Sequence, residues 1–322
     1  MSTRPLTMAF IMDPIERVLV DSDTTFVLML EAQKRGHEVL YVDQTDISIA
    51  GNGATAWATP VVLRREQGNH VDLAEPRRLV FDDSVDVAFQ RKDPPVDPAY
   101  ITATQILALC QRTLVFNRPE SILAANEKLY ALQFRDLMTD TLVTRSSDEM
   151  REFLAAMGGE MIVKPLDGKG GEGIFHVVKG DRNLSSILEQ ATAFGTRWSM
   201  AQRYLPAVRQ GDKRILVLEG EAIGAVLRVP ADGETRANLH VGGRAAQAQL
   251  DDADRKIIAR LAPRLRADGF FFVGIDVIGG YLTEVNVTSP TGIQEVNALD
   301  GSCLEALILD RVEQRVAEAR GS

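Results

Sequence analysis

The sequence predicts an α/β protein: a parallel-sheet α/β domain at the N-terminus, followed by α+β units built on antiparallel pairs. Three observations carry this. Over the first third, short apolar runs at 8–12, 38–42 and 85–90 alternate with helical stretches at 24–35 and 100–111, the pattern of a parallel sheet covered on both faces. Near Asn117-Arg118-Pro119 the alternation gives way to strand pairs joined by short turns. The chain has 322 residues, 45% of them hydrophobic and 25% charged, which suits about two compact units at roughly 150 residues each.

In chain order, MAFIM at 8–12 reads as a buried strand. The helix at 24–35 has Asp23 as its N-cap and Gly36 just past its end. EVLYV at 38–42 completes one βαβ unit, and strand 85–90, helix 100–111 and strand 113–116 make another. The first strand runs into MDPIERV with no GxGxxG, so the dinucleotide fingerprint is absent. Past residue 117 a helix is expected over 122–137, and Ser146 with Glu149 reads as a capping box opening the next. Strand 161–163, loop 164–173, strand 174–178, helix 184–192 and strand 198–202 follow. Two hairpins, 214–218 with 222–229 and 270–278 with 281–287, are joined by loop 230–243 and helix 251–267. A helix over 303–319 closes the chain. Glycines in 168–173 and the long polar loop 230–243 are expected to order over a ligand and exclude water from it.

Several function classes drop out. The net charge is −9 and the pI about 5.1, the wrong sign for a protein living on phosphate backbones. An acidic chain that handles an anionic nucleotide must gather its basic residues locally. The two cysteines, Cys110 and Cys303, form no CxxC, which argues against a disulfide framework or a zinc cluster. The apolar run at the N-terminus is too short for a signal core, and no stretch approaches the roughly 18 apolar residues of a membrane span, so a cytoplasmic protein is expected. The four histidines show no metal spacing, and neither GxSxG nor HExxH occurs.

Three constellations carry chemistry. Lys164-Pro-Leu-Asp-Gly-Lys-Gly-Gly-Glu-Gly173 lies between two β-type runs. It is no Walker loop, which would lead into a helix, but its backbone N–H groups can close over phosphate oxygens. Asp276, Glu284 and Asn286 sit in FFFVGIDVIGGYLTEVNVTSP among apolar neighbours, where unpaired carboxylates are costly unless a cation satisfies them. Glu284 and Asn286, two apart, share a strand face. A two-residue Gly279-Gly280 turn would set Asp276 opposite Thr283; a three-residue loop with a bulge would set it opposite Glu284. Two carboxylates and an amide oxygen are hard donors suited to Mg²⁺. The third set is cationic: Lys128, Lys164, Arg214, Arg228, Arg236 and Arg244, with Arg91-Lys92-Asp93-Pro94-Pro95 just past the carboxyl end of a predicted parallel strand, the edge where open α/β sheets bind ligands.

In series these segments resemble the ATP-grasp ligases, and among them the bacterial glutathione synthetase family. The match is carried by RKDPP at 91–95, NEKL at 126–129, KPLDG at 164–168, GGEGIF at 170–175, AQRYLP at 201–206, GDKR at 211–214, GETRAN at 233–238, GGR at 242–244, GIDVIG at 274–279 and TEVNVTSPTG at 283–292. The resemblance implies an ATP-grasp fold, two α+β subdomains clamping ATP, behind an N-terminal parallel-sheet α/β domain, with boundaries at 1–123, 124–203 and 204–322. It further implies ATP-dependent ligation of γ-glutamylcysteine to glycine, two Mg²⁺ or Mn²⁺ ions, small-molecule partners without nucleic acid or membrane, and a homo-oligomer, tetramer or dimer. Lys128 and Lys164 would contact the ATP phosphates beneath the flap glycines Gly168, Gly170, Gly171 and Gly173. Gln202, Tyr204 and Leu205 would read adenine, and Asp276, Glu284 and Asn286 would hold the metals. Arg214, Arg236 and Lys164 would be catalytic, and Arg91, Asp93, Arg214, Arg228, Arg236 and Ser289 would face the acyl substrate. Ala237, His240-Val241 and Gln294 depart from the family pattern in or near substrate loops. Gly274 stands where D-alanine–D-alanine ligases carry arginine. The alternatives are another carboxylate–amine ligase of this fold, or a nucleotide-binding regulator that has lost ligation.

Overall fold

The computed structural model describes residues 4–51, 53–168, 170–231, 236–237 and 242–321. Most of the loop expected at 230–243 therefore lies outside the described residues, His240 and Val241 included.

The N-terminal sheet is nucleated by β1 (Thr7–Met12), α1 (Thr24–Lys34) and β2 (Glu38–Asp43). The Asp23 carboxylate caps α1 by accepting from Phe26 N at 2.7 Å, and Gly36 at φ 81° turns the chain out of it. The chain then adds β3 (Ile47–Ala50), β4 (Gly53–Leu63), β5 (Val71–Leu73), β6 (Arg77–Val80), the short α2 (Phe81–Ser84), β7 (Val87–Gln90), α3 (Pro98–Leu107) and β8 (Leu114–Phe116). β2, β1, β7 and β8 are parallel, as expected. β3 to β6 are an antiparallel extension beyond β2 that the sequence pattern did not announce. Pro60 interrupts the ladder side of β4 where it meets Leu40, and β4 changes partners along its length, so no single alternation runs through it.

The helix expected over 122–137 is three pieces: α4 (Pro119–Ala124), α5 (Glu127–Ala131) and a 3₁₀ stretch, Leu132–Leu137. The break has a local cause. The Asn126 side chain accepts from Lys128 N and Leu129 N and so starts a new helix, and this restart aims Lys128 at the cleft.

The next sheet is formed by β9 (Thr141–Thr144), β10 (Glu160–Pro165), β11 (Phe175–Val178) and β12 (Ser199–Arg203), ordered β11-β10-β12-β9 and antiparallel. α6 (Ser147–Ala156) and α7 (Leu184–Ala191) cover one face around Met150, Leu154, Met161 and Val163. Ser146 caps α6 as expected, but Glu149 turns to the Thr144 hydroxyl instead of closing the box. The last sheet runs β15 (Arg244–Gln247), β14 (Glu221–Val229), β13 (Asp212–Leu218), β16 (Phe272–Ile278) and β17 (Tyr281–Asn286). Period-two alternation sends Ile215, Val217, Ile275, Val277 and Val285 under α5 and α8 (Asp252–Ala267). The opposite face carries Asp212, Arg214, Asp276 and Glu284.

α9 (Ile293–Asp300) and α10 (Leu304–Gly321) return to the N-terminal sheet, where Ile308, Leu309, Val312 and Val316 join one core with Phe10, Phe26 and Phe89. Arg35 pairs with Glu313 at 2.9 Å across this contact. At the other junction the buried Asn117 amide spends all its bonding capacity. It accepts from Phe271 N and Phe272 N at 2.7 and 2.8 Å and donates to Phe272 O and Val287 O at 2.9 and 2.7 Å. A fully satisfied buried amide of this kind fixes the end of β8 against β16 and β17. Among the described residues no helix is long and apolar enough to cross a membrane.

Candidate active site

A cleft of about 830 Å³ opens where the last two sheets and the carboxyl edge of the N-terminal sheet meet. Every residue given a role in the expected site lines it except Gly173; Arg244 of the cationic set also stays outside, exposed at the start of the edge strand β15. Gly173 lies at the root of the flap at φ 68°, where an added Cβ would come within 3.2 Å of the Pro165 ring.

The carboxylate patch is set by the β16–β17 hairpin. Ile278 pairs with Tyr281, so the turn is the two-residue Gly279-Gly280, with φ 56° and 82°, values that suit glycine. A two-residue turn would have placed Asp276 opposite Thr283. A bulge between Asp276 and Val277 instead shifts the register, and Asp276 pairs with Glu284. The three-residue loop considered from sequence is absent, yet the two carboxylates share a face. Asn286 Nδ2 stands 3.4 Å from Asp276 Oδ2.

Cations close on this patch from three elements. Arg214 on β13 lies directly across from Asp276 and donates to it through Nε at 2.5 Å and Nη2 at 3.1 Å. Arg228 on β14 reaches the same carboxylate at 2.9 Å and also pairs with Asp212 at 2.5 Å. Burial opposes ionisation of Asp276, but the two guanidiniums prevail and hold its carboxyl well below the usual carboxylate range. Gly274 makes room for this: a Cβ there would stand 3.0 Å from Arg214 Cδ and 3.1 Å from Pro290. Lys128 pairs with Glu284 at 3.0 Å and donates to Gly168 O at 3.0 Å, tying α5 to the flap. Burial opposes its charge too, but Glu284 keeps Lys128 above the ordinary lysine range. Lys164 on β10 is buried, its ammonium 3.4 Å from Thr283 O, and burial lowers its pKa. Arg236 reaches Gly171 O at 3.5 Å. An acidic chain has gathered its cations in one place.

Gln202 on β12 donates to Thr141 Oγ1 at 3.0 Å, and the Tyr204 ring stacks on His176 with centroids 4.0 Å apart. Beside them Ile162, Leu205 and Ile278 make the cleft wall apolar, as a slot for a flat base requires.

Among the acidic residues that the sequence reading gave no role, two stand at the carboxylate patch. Glu127 accepts from Val287 N and Thr288 N at 2.9 and 3.1 Å and from Thr288 Oγ1 at 2.8 Å. Burial and the neighbouring Glu284 charge push its pKa up. Asp212 is pushed up to about 6, by burial and by Asp276, against the pull of Arg228. Both lie inside motifs quoted above, NEKL and GDKR, but next to lysines and arginines that drew the phosphate reading.

The donors fit a divalent cation. Asp276, Glu284 and Asn286 bring hard oxygens to one patch, and Glu127, crowded by Glu284, marks an excess of carboxylate there. Among the described residues no three of His, Cys, Asp and Glu cluster tightly enough to hold an ion alone. A cation therefore needs the Asn286 amide and oxygens brought by a substrate.

A glycine flap on one antiparallel sheet, facing a second that carries paired carboxylates, lysines and arginines over a nucleotide-sized cleft, defines an ATP-grasp ligase. Solved structures of this architecture agree in fold: the D-cycloserine synthetase DcsG (TM-score 0.67, 13% identity, covering 96% of this chain and 99% of that one) and a RimK domain ATP-grasp protein from Sphaerobacter thermophilus (TM-score 0.62, 16% identity, 94% and 98%). Residues 6–122 match the N-terminal domain of prokaryotic glutathione synthetase and residues 127–301 its ATP-grasp domain. The chain is 45% identical over 311 residues to a glutathione synthetase of Brucella melitensis, covering 96% of this chain and 99% of that one. It is 40% identical to one of Salmonella typhi over 314 residues, covering 97% and 99%. The chain belongs to the prokaryotic glutathione synthetase family.

Proposed function

We propose that the chain is a glutathione synthetase: it joins the cysteinyl carboxylate of γ-glutamylcysteine to the amine of glycine and converts ATP to ADP and phosphate. The observation that carries the reading is the convergence of Lys128, Lys164, Arg214, Arg228 and Arg236 on one flap-covered cleft that also holds Asp276 and Glu284. Neither cysteine lines that cleft, and burial pushes the Cys110 thiol up to about 12, so a covalent acyl-enzyme has no thiol to form on. The division at 1–123, 124–203 and 204–322 goes with this reading, as do a cytoplasmic setting and a homo-oligomer, tetramer or dimer.

In the proposed mechanism the protein positions reactants and neutralises charge. Lys128 and Lys164 hold the ATP phosphates beneath Gly168, Gly170 and Gly171, while Gly173 gives the flap its freedom at the root. Gln202, Tyr204 and Leu205 seat the adenine. Asp276, Glu284 and Asn286 would hold two Mg²⁺ or Mn²⁺ ions, whose chemistry is to offset phosphate charge during transfer. The cysteinyl carboxylate attacks the γ-phosphorus, ADP leaves, and the glycine amine displaces phosphate from the acyl phosphate. Arg214, Arg228 and Arg236 neutralise the transferred group, and the counter-charges Asp276 and Asp212 keep Arg214 and Arg228 fixed. Arg91, Asp93 and Ser289 face the acyl substrate.

ADP release, followed with each component omitted in turn, tests the reading. Turnover is expected only with ATP, a divalent cation, γ-glutamylcysteine and an amine together, with glycine preferred. Equal rates with D-alanine pairs, or none with γ-glutamylcysteine, would sink it.

A further inference from the structure

The apolar end of the cleft is held from behind. Tyr204 lines the cleft, yet the two groups that fix its ring, His176 and Arg209, do not. His176 on β11 stacks on the ring with centroids 4.0 Å apart and planes 18° from parallel. Arg209 Nε donates to the Tyr204 hydroxyl at 3.3 Å. Strand register explains how a histidine reaches this place. Ile162 pairs with His176 on one side and with Gln202 on the other, so the three stand in one row on one face of the sheet. Ile162 and Gln202 line the cleft, and Gln202 extends the row to Thr141 through its side-chain hydrogen bond. Tyr204, two residues beyond Gln202, is the first residue past β12, where the ladder no longer holds the chain. Its ring crosses β10 to meet the imidazole on β11.

His37 and His70 spend a ring nitrogen on the backbone, at Leu6 N and Ile15 O. His176 is used differently. Its Nε2 is buried and makes no hydrogen bond, with Glu160 Oε2 3.7 Å away, past hydrogen-bond distance. What the ring contributes is its face. His176 also follows Gly173 by three residues, on the strand by which the chain returns from the flap, so one stacked contact joins the flap's far leg to the segment 202–205. We propose that His176 is a positioning residue for the nucleotide: it backs Tyr204 from outside the cleft and, with Arg209, fixes the segment on which adenine is seated. This rests on the adenine seat given above to Gln202, Tyr204 and Leu205, and adds a residue that touches no substrate.

The test measures binding of ADP and of inorganic tripolyphosphate, which carries no base, to the full-length protein by calorimetry. His176→Ala is expected to weaken ADP binding roughly 3–10-fold, the size of one aromatic pair, and to leave tripolyphosphate binding unchanged. His176→Phe, which keeps a flat ring at the position, should restore the ADP affinity. In turnover, KM for ATP should rise by the same factor in His176→Ala, with kcat and KM for γ-glutamylcysteine unmoved. Wild-type ADP affinity in His176→Ala, or an equal loss of ADP and tripolyphosphate, would overturn the assignment, the second by showing that the substitution disturbs the whole cleft. So would a His176→Phe protein that binds ADP no better than His176→Ala. Binding is read without the donor peptide, so each outcome stands whether or not γ-glutamylcysteine proves to be the substrate.

Discussion

Replacing Glu284 by glutamine is expected to lower kcat by about 10²–10³ at saturating ATP and Mg²⁺, the usual size of one lost preorganised electrostatic contact. The shape of the side chain is kept, so the effect isolates its charge. That charge has two measurable partners: Lys128, 3.0 Å away, and Glu127, whose carboxyl it pushes up in addition to burial. Without it the cation that ties α5 to the flap loses its ion pair, and the patch loses a hard-oxygen donor. Asn286→Asp, which keeps an oxygen donor, should cost less. Thermal unfolding of Glu284→Gln should stay near wild type, because Glu284 is only half-buried and Glu127 is relieved. Wild-type turnover in Glu284→Gln would reduce the hairpin to a structural element.

Asp276→Asn should act on stability as well as activity. Asp276 is 3% exposed and is shared by two guanidiniums that are themselves buried. Its removal leaves Arg214 with no carboxylate among its described ion pairs and Arg228 with Asp212 alone. Breaking a buried ion pair from one side typically costs about 3–5 kcal/mol, since the orphaned charge stays desolvated. Urea unfolding at neutral pH is expected to show a midpoint lowered by that free energy divided by m, with m itself unchanged, and ligation should be lost. An unaltered midpoint would mean that solvent reaches the arginines and that they are not held by Asp276.

The parallel strands, both hairpins and the flap were legible because each is signalled locally: an apolar run, a Gly-Gly turn, a glycine cluster between strands. The gathering of Asp276, Glu284 and Asn286 on one cleft was legible for a related reason, since these polar side chains stood among apolar neighbours that had to bury them. What was not legible depends on partners distant in sequence. The break at Asn126 follows from its capping bonds, reinforced by a contact to Leu166 O at 3.2 Å. β3, β5 and β6 have only three or four residues each, and Pro60 argues against the strand it occupies, β4. The bulge beside Asp276 could not be read from the Gly279-Gly280 turn. Asp212 looked like a surface aspartate until Arg228 was placed across from it on β14.

The central claim is that ATP activates the donor carboxylate directly, with the protein supplying position and charge. Oxygen-18 placed in the cysteinyl carboxylate of γ-glutamylcysteine tests it in one measurement. One labelled atom per turnover should appear in the released phosphate, because the carboxylate oxygen that attacks phosphorus leaves with it. A label retained wholly in the peptide product would contradict the acyl-phosphate route, and with it the role given to Lys128, Lys164, Arg214 and the carboxylates between them.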